Sequence, residues 1–427
     1  MADDPARHRR WLSHLRMDFR PLRTSPDFRR LFASRTVTLL GSQITEVALL
    51  VHLTELTRNP LAVGLLGAAQ VVPIVLFGLY GGVLADRLDR RRLALWCEGG
   101  LAVVTSGLVV DAALPHPALW PLYAAAAGIM SLSALQQPSL DAAVPRVVAK
   151  DQIAASAALV SISSTSTAVV GPAVGGLLVV GPGAAWAYGI DTATFVVSFL
   201  LLFGLRAMPR TDGEVDPRGL RGVLDGLRYA VDRRDLLGSY LVDLVAMIFA
   251  FPAALLPFMA VELRAEWAQG LLFSASAAGA LLASATSGWI RHVHRYGRAI
   301  ACSAATWGVA LVGFGLSRDI GMAVALLVIA GGADEFSGIF RDTLWNTTIP
   351  DRMRGRMAGL ELLSYGGGPV LGQIRGGAVA GHFGVRRAVW TGGVACVVAV
   401  GAICAALPRL WSFDAAPPPD HVVHDGL

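Results

Sequence analysis

The stretch GGVLADRLDRRRL, Gly81 to Leu93, ends a long apolar run in a burst of charge. Asp86, Arg87, Asp89, Arg90, Arg91 and Arg92 crowd one short link, and then the chain turns apolar again. The same alternation of long apolar run and short link recurs along nearly the whole length. Of the 427 residues, 54% are hydrophobic and only 16% charged, with a mean hydropathy of +0.55. Soluble domains carry about 25% charged residues. Apolar runs of this length read as membrane spans. In lipid the backbone must satisfy its own hydrogen bonds, so the runs are expected to be helices. The short alternating segments of a β-barrel are absent.

The net charge of +5 raises the possibility of a nucleic-acid partner, but the distribution argues against one. Basic residues sit in the links between apolar runs, as membrane topology requires. Spans are expected near 31–56, 62–85, 93–112, 118–138, 153–181, 184–206, 237–261, 267–290, 298–316, 319–343, 357–380 and 386–407. The arm before residue 31, the 86–92 link, Arg146 and Lys150, Arg291–Arg298 and Arg352–Arg356 all fall on one side. That side is expected to be cytoplasmic, with both termini there. Arg386 and Arg387 dissent, falling on the outer side. Cys97, Cys302, Cys396 and Cys404 lie in or beside apolar runs without metal-ligand spacing, and read as packing residues.

The spans divide into equal halves. Residues 1–30 form a basic arm, 31–207 a first six-helix bundle, 208–236 a polar linker with an amphipathic helix, 237–407 a second bundle, and 408–427 a disordered tail. GPAVG at Gly171–Gly175 has a partner in GPVLG at Gly368–Gly372, in the fifth and eleventh spans. These are equivalent positions of two halves. The expected fold is an all-α integral membrane protein, twelve transmembrane helices in two pseudo-symmetric six-helix bundles.

The run from Gly82 through Asp86 and Arg87 to Arg90 and Arg91 resembles the signature loop between helices two and three of the major facilitator superfamily. The glycine–proline element Gly171–Gly176 resembles the fifth-helix signature of its drug/proton antiporters. Other stretches, among them FRRLFASRTVTLLGSQITEVAL and IPDRMRGRMAGL, are similar to the branch that holds the enterobactin exporter and the macrolide-efflux proteins. The resemblance covers roughly residues 28–405. It departs from the pattern at Asp89, where the loop usually has glycine, and in a fourth span without arginine.

Charge and position suggest a conformational latch. Gly82 permits close helix approach. Asp86 lies at the membrane boundary, where a carboxylate can meet a helix N-terminus. The resemblance implies that Asp86 docks near Arg354–Arg356 when the cytoplasmic side closes, with Arg87, Arg90 and Arg91 in the same loop. Arg91 and Arg92 also serve topology. Gly171, Pro172, Gly175 and Gly176, with Gly368, Pro369 and Gly372, read as close packing with a bend, or as a seam against the partner half. Ionisable groups inside spans are costly and functional by default. Glu46, beside Gln43 and Thr45, and the adjacent Asp334 and Glu335 are the foremost candidates for a central cavity. Adjacent residues on a helix point about 100° apart, so both acids should not share one cavity. Asp191, Asp243 and Arg375 are further candidates. Arg375 is open to either an acidic partner or an anionic substrate. Arg35, Glu98 and Glu361 lie near cytoplasmic ends and are expected to reach the interface. Hydroxyls of SISSTST (Ser161–Thr167) are expected in the cavity.

No Walker A sequence, metal-ligand spacing or G-x-S-x-G appears, so ATP drive, a metal, a cofactor and an enzyme reading have no support. The expectation is a monomeric cell-membrane exporter of a bulky small molecule, such as a siderophore, macrolide or other drug, exchanged for protons across the lipid bilayer. An importer or lipid translocator of the same fold, or a non-transporting receptor, is the alternative.

Overall fold

Among the described residues most apolar runs fold as single helices, and at three of them a polar side chain marks the start. The computed structural model describes residues 18–87, 89–206, 228–350 and 363–413. The first bundle comprises α1 (Pro26–Thr57), α2 (Pro60–Arg87), α3 (Arg90–Ala112), α4 (Trp120–Val147), α5 (Ile153–Val180) and α6 (Ala184–Phe203). The second comprises α7 (Arg234–Ala250), α8 (Gln269–Ala285), α9 (Tyr296–Leu316), α10 (Ile320–Thr348), α11 (Gly368–Phe383) and α12 (Val385–Ala406). No strand occurs among the described residues. Of the predicted linker helix, residues 228–232 are helical and end at a break at Arg233 before α7, while 222–227 lie outside the described residues.

Ten described segments are long and apolar enough to cross a membrane by themselves. In α4, Gln136, Gln137, Asp141 and Arg146 dilute the apolar run. The described part of α11 follows a five-residue π turn, Leu363–Gly367, and is short. The seventh span also departs from the expected unbroken helix. Pro252 interrupts it, and after the tight turn Ala253–Leu255 the helix resumes as Leu256–Glu262. Proline removes a backbone donor and clashes with the preceding turn.

The helix starts are specified locally. Ser25 accepts from the Phe28 N–H at 3.1 Å ahead of Pro26, an N-cap with proline in the first turn. Asp319 caps α10 in the same way, accepting from the Met322 N–H at 2.9 Å. The departure at Asp89 has the same explanation. Its backbone is extended (φ −63°, ψ 119°) and its carboxylate accepts from the Arg92 N–H at 3.0 Å. A capping aspartate starts α3 at this position.

Within each half, α1 packs on α5 and α6, α2 on α4, and α3 on α4 and α6. The second half repeats every one of these pairings six helices later. The halves meet through α2 with α11 and, by the same symmetry, α5 with α8. Both seams lie toward the face opposite the one where α1 begins. A Cβ on Gly64 would stand 2.9 Å from the Cα of Gly377, and Leu61 borders Gly381 one turn further out. A Cβ on Gly270 would stand 3.0 Å from the Cα of Gly176 and 2.9 Å from the Pro172 carbonyl. Side chains are missing because backbone meets backbone there.

The face where α1 begins and α12 ends carries Arg90–Arg92, Arg146, Lys150, Arg298 and Arg409, and is the basic face. Arg386 on the opposite face has a structural task. It donates to Glu262 Oε2 at 3.1 Å and to the Ser317 carbonyl, tying together three helix ends.

Gly270→Leu should pry both seams apart, because the two are linked by rigid halves. With cysteines at Leu61 and Gly381, in a background without the four native cysteines, cross-linking of α2 to α11 should fall several-fold. Unchanged cross-linking would mean that the seams open independently.

Candidate functional site

Between the halves, at mid-membrane depth, lies a cavity of about 290 Å³. Helices α1, α2 and α4 line it from one half, and α11 with the break in α7 from the other. Its polar groups are Ser42, Thr45, Glu46, Gln70, Ser133 and Gln373; Phe251, exposed by the Pro252 break, supplies an aromatic wall. The Glu46 side chain is exposed to this space although it lies deep in α1. Of the acids expected in a central cavity, Glu46 is the one that lines it.

The others sit inside the bundles. Asp334 and Glu335 diverge, as their spacing requires. Glu335 accepts from the Ser284 hydroxyl at 2.5 Å, between α8 and α10. Asp334 is two helical turns before Arg341 and within electrostatic reach of it. Arg341 bonds Asp243 in a buried ion pair, with side-chain exposures of 4% and 1%. The second Asp243 oxygen accepts from Ser364 at 2.5 Å. Ser364 belongs to the π turn ahead of α11, and Gly366 of the same turn lines the cavity and meets Ile74 of α2. Such turns favour functional sites. A polar chain thus runs from Asp334 through Arg341, Asp243 and Ser364 to within two residues of the cavity.

Gln43 lies on the α1–α5 seam, where a Cβ on Gly171 would strike it. Asp191 is fully buried against Gly41 of α1 and accepts from the Thr194 hydroxyl of its own helix at 3.1 Å. Arg375 has no acidic partner among the described hydrogen bonds and ion pairs. It donates to the Ala388 carbonyl at 3.3 Å and packs beside Gly392, within the second half. The two glycine–proline elements first serve their own halves. Gly171 and Gly175 press on Gln43 and Ile44 of α1, and Gly368 and Gly372 on Met247 of α7. Pro369 lines the cavity, and Pro172 and Gly176 meet the partner half at Gly270. The SISSTST hydroxyls do not line the cavity: Ser164, Thr165 and Thr167 bond back into their own helix, and Ser163 pairs with Thr36 at 2.6 Å.

Gly82, Asp86 and Arg87 fall at the end of α2. The side-chain positions of Asp86 and Arg87, the 351–362 segment expected to receive them, and Glu361 lie outside the described residues. Arg90 donates to the Ala142 carbonyl at 3.0 Å, and Arg91 to the Leu202 carbonyl at 3.2 Å. Both arginines brace the first half from within.

Two features escape the sequence reading. Glu98 does not reach the interface. It is fully buried, accepting from Thr38 at 3.0 Å and Gln136 at 2.9 Å. Arg35 does not reach out either, but pairs with Asp141 at 2.5 Å. Arg35 stands nine residues into α1, as Asp243 does in α7. Asp141 stands 21 residues into α4, as Arg341 does in α10. The halves therefore hold equivalent ion pairs with the charges exchanged. That shared register is the signal that would have found the first pair.

A mid-membrane cavity between two symmetric bundles, sealed on one face, defines a membrane transporter. Residues 17–424 match the transmembrane secretion effector family, and the chain belongs to it. It is 29% identical over 381 residues to the enterobactin exporter EntS of Citrobacter koseri, covering 88% of each chain. The same figures hold for the enterobactin exporter of Escherichia coli O1:K1 / APEC. Among solved structures, its fold is similar to a POT family transporter in complex with 5-aminolevulinic acid (TM-score 0.74, 12% identity, 90% of this chain and 97% of that one). It is also similar to an inward-facing bacterial homologue of the human lysosomal transporter Spinster (TM-score 0.70, 15% identity, 92% and 98%).

Asp243→Asn should strand the Arg341 charge in the interior, at a cost of roughly 3–5 kcal/mol. Arg35→Gln should cost at most about 1 kcal/mol, because Asp141 is half exposed and screened. Unfolding in detergent measures both; equal losses would refute the assigned difference in burial.

Proposed function

We propose that the protein is a secondary active exporter that moves a siderophore-like molecule out of the cytoplasm in exchange for protons. The observation that carries this reading is the Glu46 carboxylate in a cavity shared by both halves, with glycine seams closing one face. The basic face is cytoplasmic by the distribution of arginines, so both termini are inside. The seams then close the outer path, and this state receives cargo from the cytoplasm. The enterobactin exporters among the relatives support the cargo class and the direction.

The units that rock are residues 31–207 and 237–407, within one monomer. A cavity of about 290 Å³ lies at the low end for a small-molecule site, so the halves spread to admit a bulky cargo. Glu46 can hold a proton or accept a hydrogen bond from a cargo hydroxyl or amide, and one carboxylate cannot do both fully. That competition is the coupling. The Asp334–Arg341–Asp243–Ser364 chain reports the state of the second half to the π turn at the cavity wall. The latch of Asp86, Arg87 and Arg90 at the 351–362 segment completes closure on the cytoplasmic side. A ligand drives such a two-state exchange only through its differential affinity for the states.

In inside-out vesicles with an imposed pH gradient, labelled catecholate siderophore should accumulate, and collapsing the gradient should abolish accumulation. Glu46→Gln should bind cargo but lose the response to the gradient. Gradient-driven uptake that survives this change would remove Glu46 from the coupling role. Asp86→Asn should insert normally and slow transport several-fold; normal transport would reduce the loop to a topology signal.

A further inference from the structure

On the outside of the first half, away from the partner bundle, α3, α4 and α6 leave a groove of about 700 Å³ that the transport reading does not use. Its floor is made by omission. Gly99 and Gly100 follow one another on α3, and a Cβ on Gly99 would meet only the Phe199 ring, at 3.8 Å. Trp96 walls one side with 80% of its surface exposed, and Phe203, 62% exposed, stands across from it. Helices α3 and α6 make their contacts within their own half, so this surface faces lipid.

The groove has a length and a charged end. From Arg92 to Val104 it follows α3 for twelve residues, about 18 Å at 1.5 Å per residue. One leaflet of the hydrocarbon core is about 15 Å deep, half of about 30 Å. The arginines at the basic end have divided duties. Arg91 turns to the carbonyls that end α6 and lies over the Phe203 ring at 5.4 Å. Arg92 is exposed at the mouth of the groove, and among the described residues no carboxylate pairs with it. Asp89 nearby spends its carboxylate on the backbone cap of α3.

We propose that this groove binds one acyl chain of an anionic phospholipid from the leaflet on the basic face, with the lipid phosphate held by Arg92. The chain lies along the Gly99–Gly100 floor between Trp96 and Phe203. The guanidinium suits a phosphate, which accepts two parallel hydrogen bonds from it. A zwitterionic lipid would fill the same floor but gain less at the mouth. An anionic lipid here would fasten α3, α4 and α6 to one another at the end where the first half must move as a unit.

The test is native mass spectrometry of the purified full chain released from nanodiscs holding equal phosphatidylglycerol and phosphatidylcholine. The wild type should retain phosphatidylglycerol over phosphatidylcholine by about fivefold, the worth of one arginine at an anionic surface. Arg92→Gln should bring that preference close to unity, and Arg92→Lys should keep most of it. Gly99→Phe should fill the floor and lower retention of both lipids; Gly99→Leu does the same with a smaller side chain if the first variant folds poorly. Gly401→Phe, on a lipid-facing position with open space around it, should behave as wild type. A wild type without preference, or an Arg92→Gln preference equal to wild type, overturns the headgroup assignment. Gly99 variants that retain lipid normally, or a Gly401→Phe loss equal to theirs, overturn the groove.

Discussion

Backbone meeting backbone at Gly64 with Gly377, and at Gly176 with Gly270, is the contact on which the arrangement of the halves rests. Lipid tails are as apolar as leucine, so helices in a membrane gain little from hiding apolar surface and must hold by close packing. Glycine pairs give that packing without interdigitated side chains, which would have to be unpicked at every cycle. The two seams are related by the pseudo-symmetry of the fold and close the same face. The cavity exists because this closure is confined to one face, while Pro252 and the π turn hold α7 and α11 away from ideal helices at its wall.

Charge is distributed by a different rule inside each bundle. Asp243 and Arg341 are almost fully buried and satisfied by one another and by Ser364. Glu98 is held by hydroxyl and amide groups of neighbouring helices, and Asp191, packed against Gly41 of α1, by a hydroxyl of its own helix. These groups fix which helix faces which. Glu46 stands apart because it faces space, with polar neighbours around the cavity and no ion-pair partner among the described residues.

The fold is legible in the sequence because span length and basic links are one-dimensional signals. Repeats such as GPAVG and GPVLG then reveal the halves. What is not legible is the facing of each polar residue. Glu46, Asp191 and Asp334 all read as costly acids in apolar runs, and only helix rotation separates a cavity group from a buried brace. Arg375 shows the same limit: its length reaches a carbonyl on α12, which no pattern within α11 foretells. Asp89 errs the other way, since a missing loop glycine looks like a defect until its capping bond is seen.

The exchanged charges of the two ion pairs have a further consequence. A two-fold axis along the membrane normal reverses any vector lying in the membrane plane. Exchanging the charges reverses it again. The in-plane dipoles of Arg35–Asp141 and Asp243–Arg341 therefore point the same way, where identical pairs would oppose one another. For ideal symmetry the potential of the two pairs vanishes along the axis and their field there lies in the membrane plane. A net charge travelling down the axis meets no barrier from them, whereas a molecule with a dipole is turned toward the membrane plane. Two pairs that each look like local braces together give the translocation path a transverse polarity.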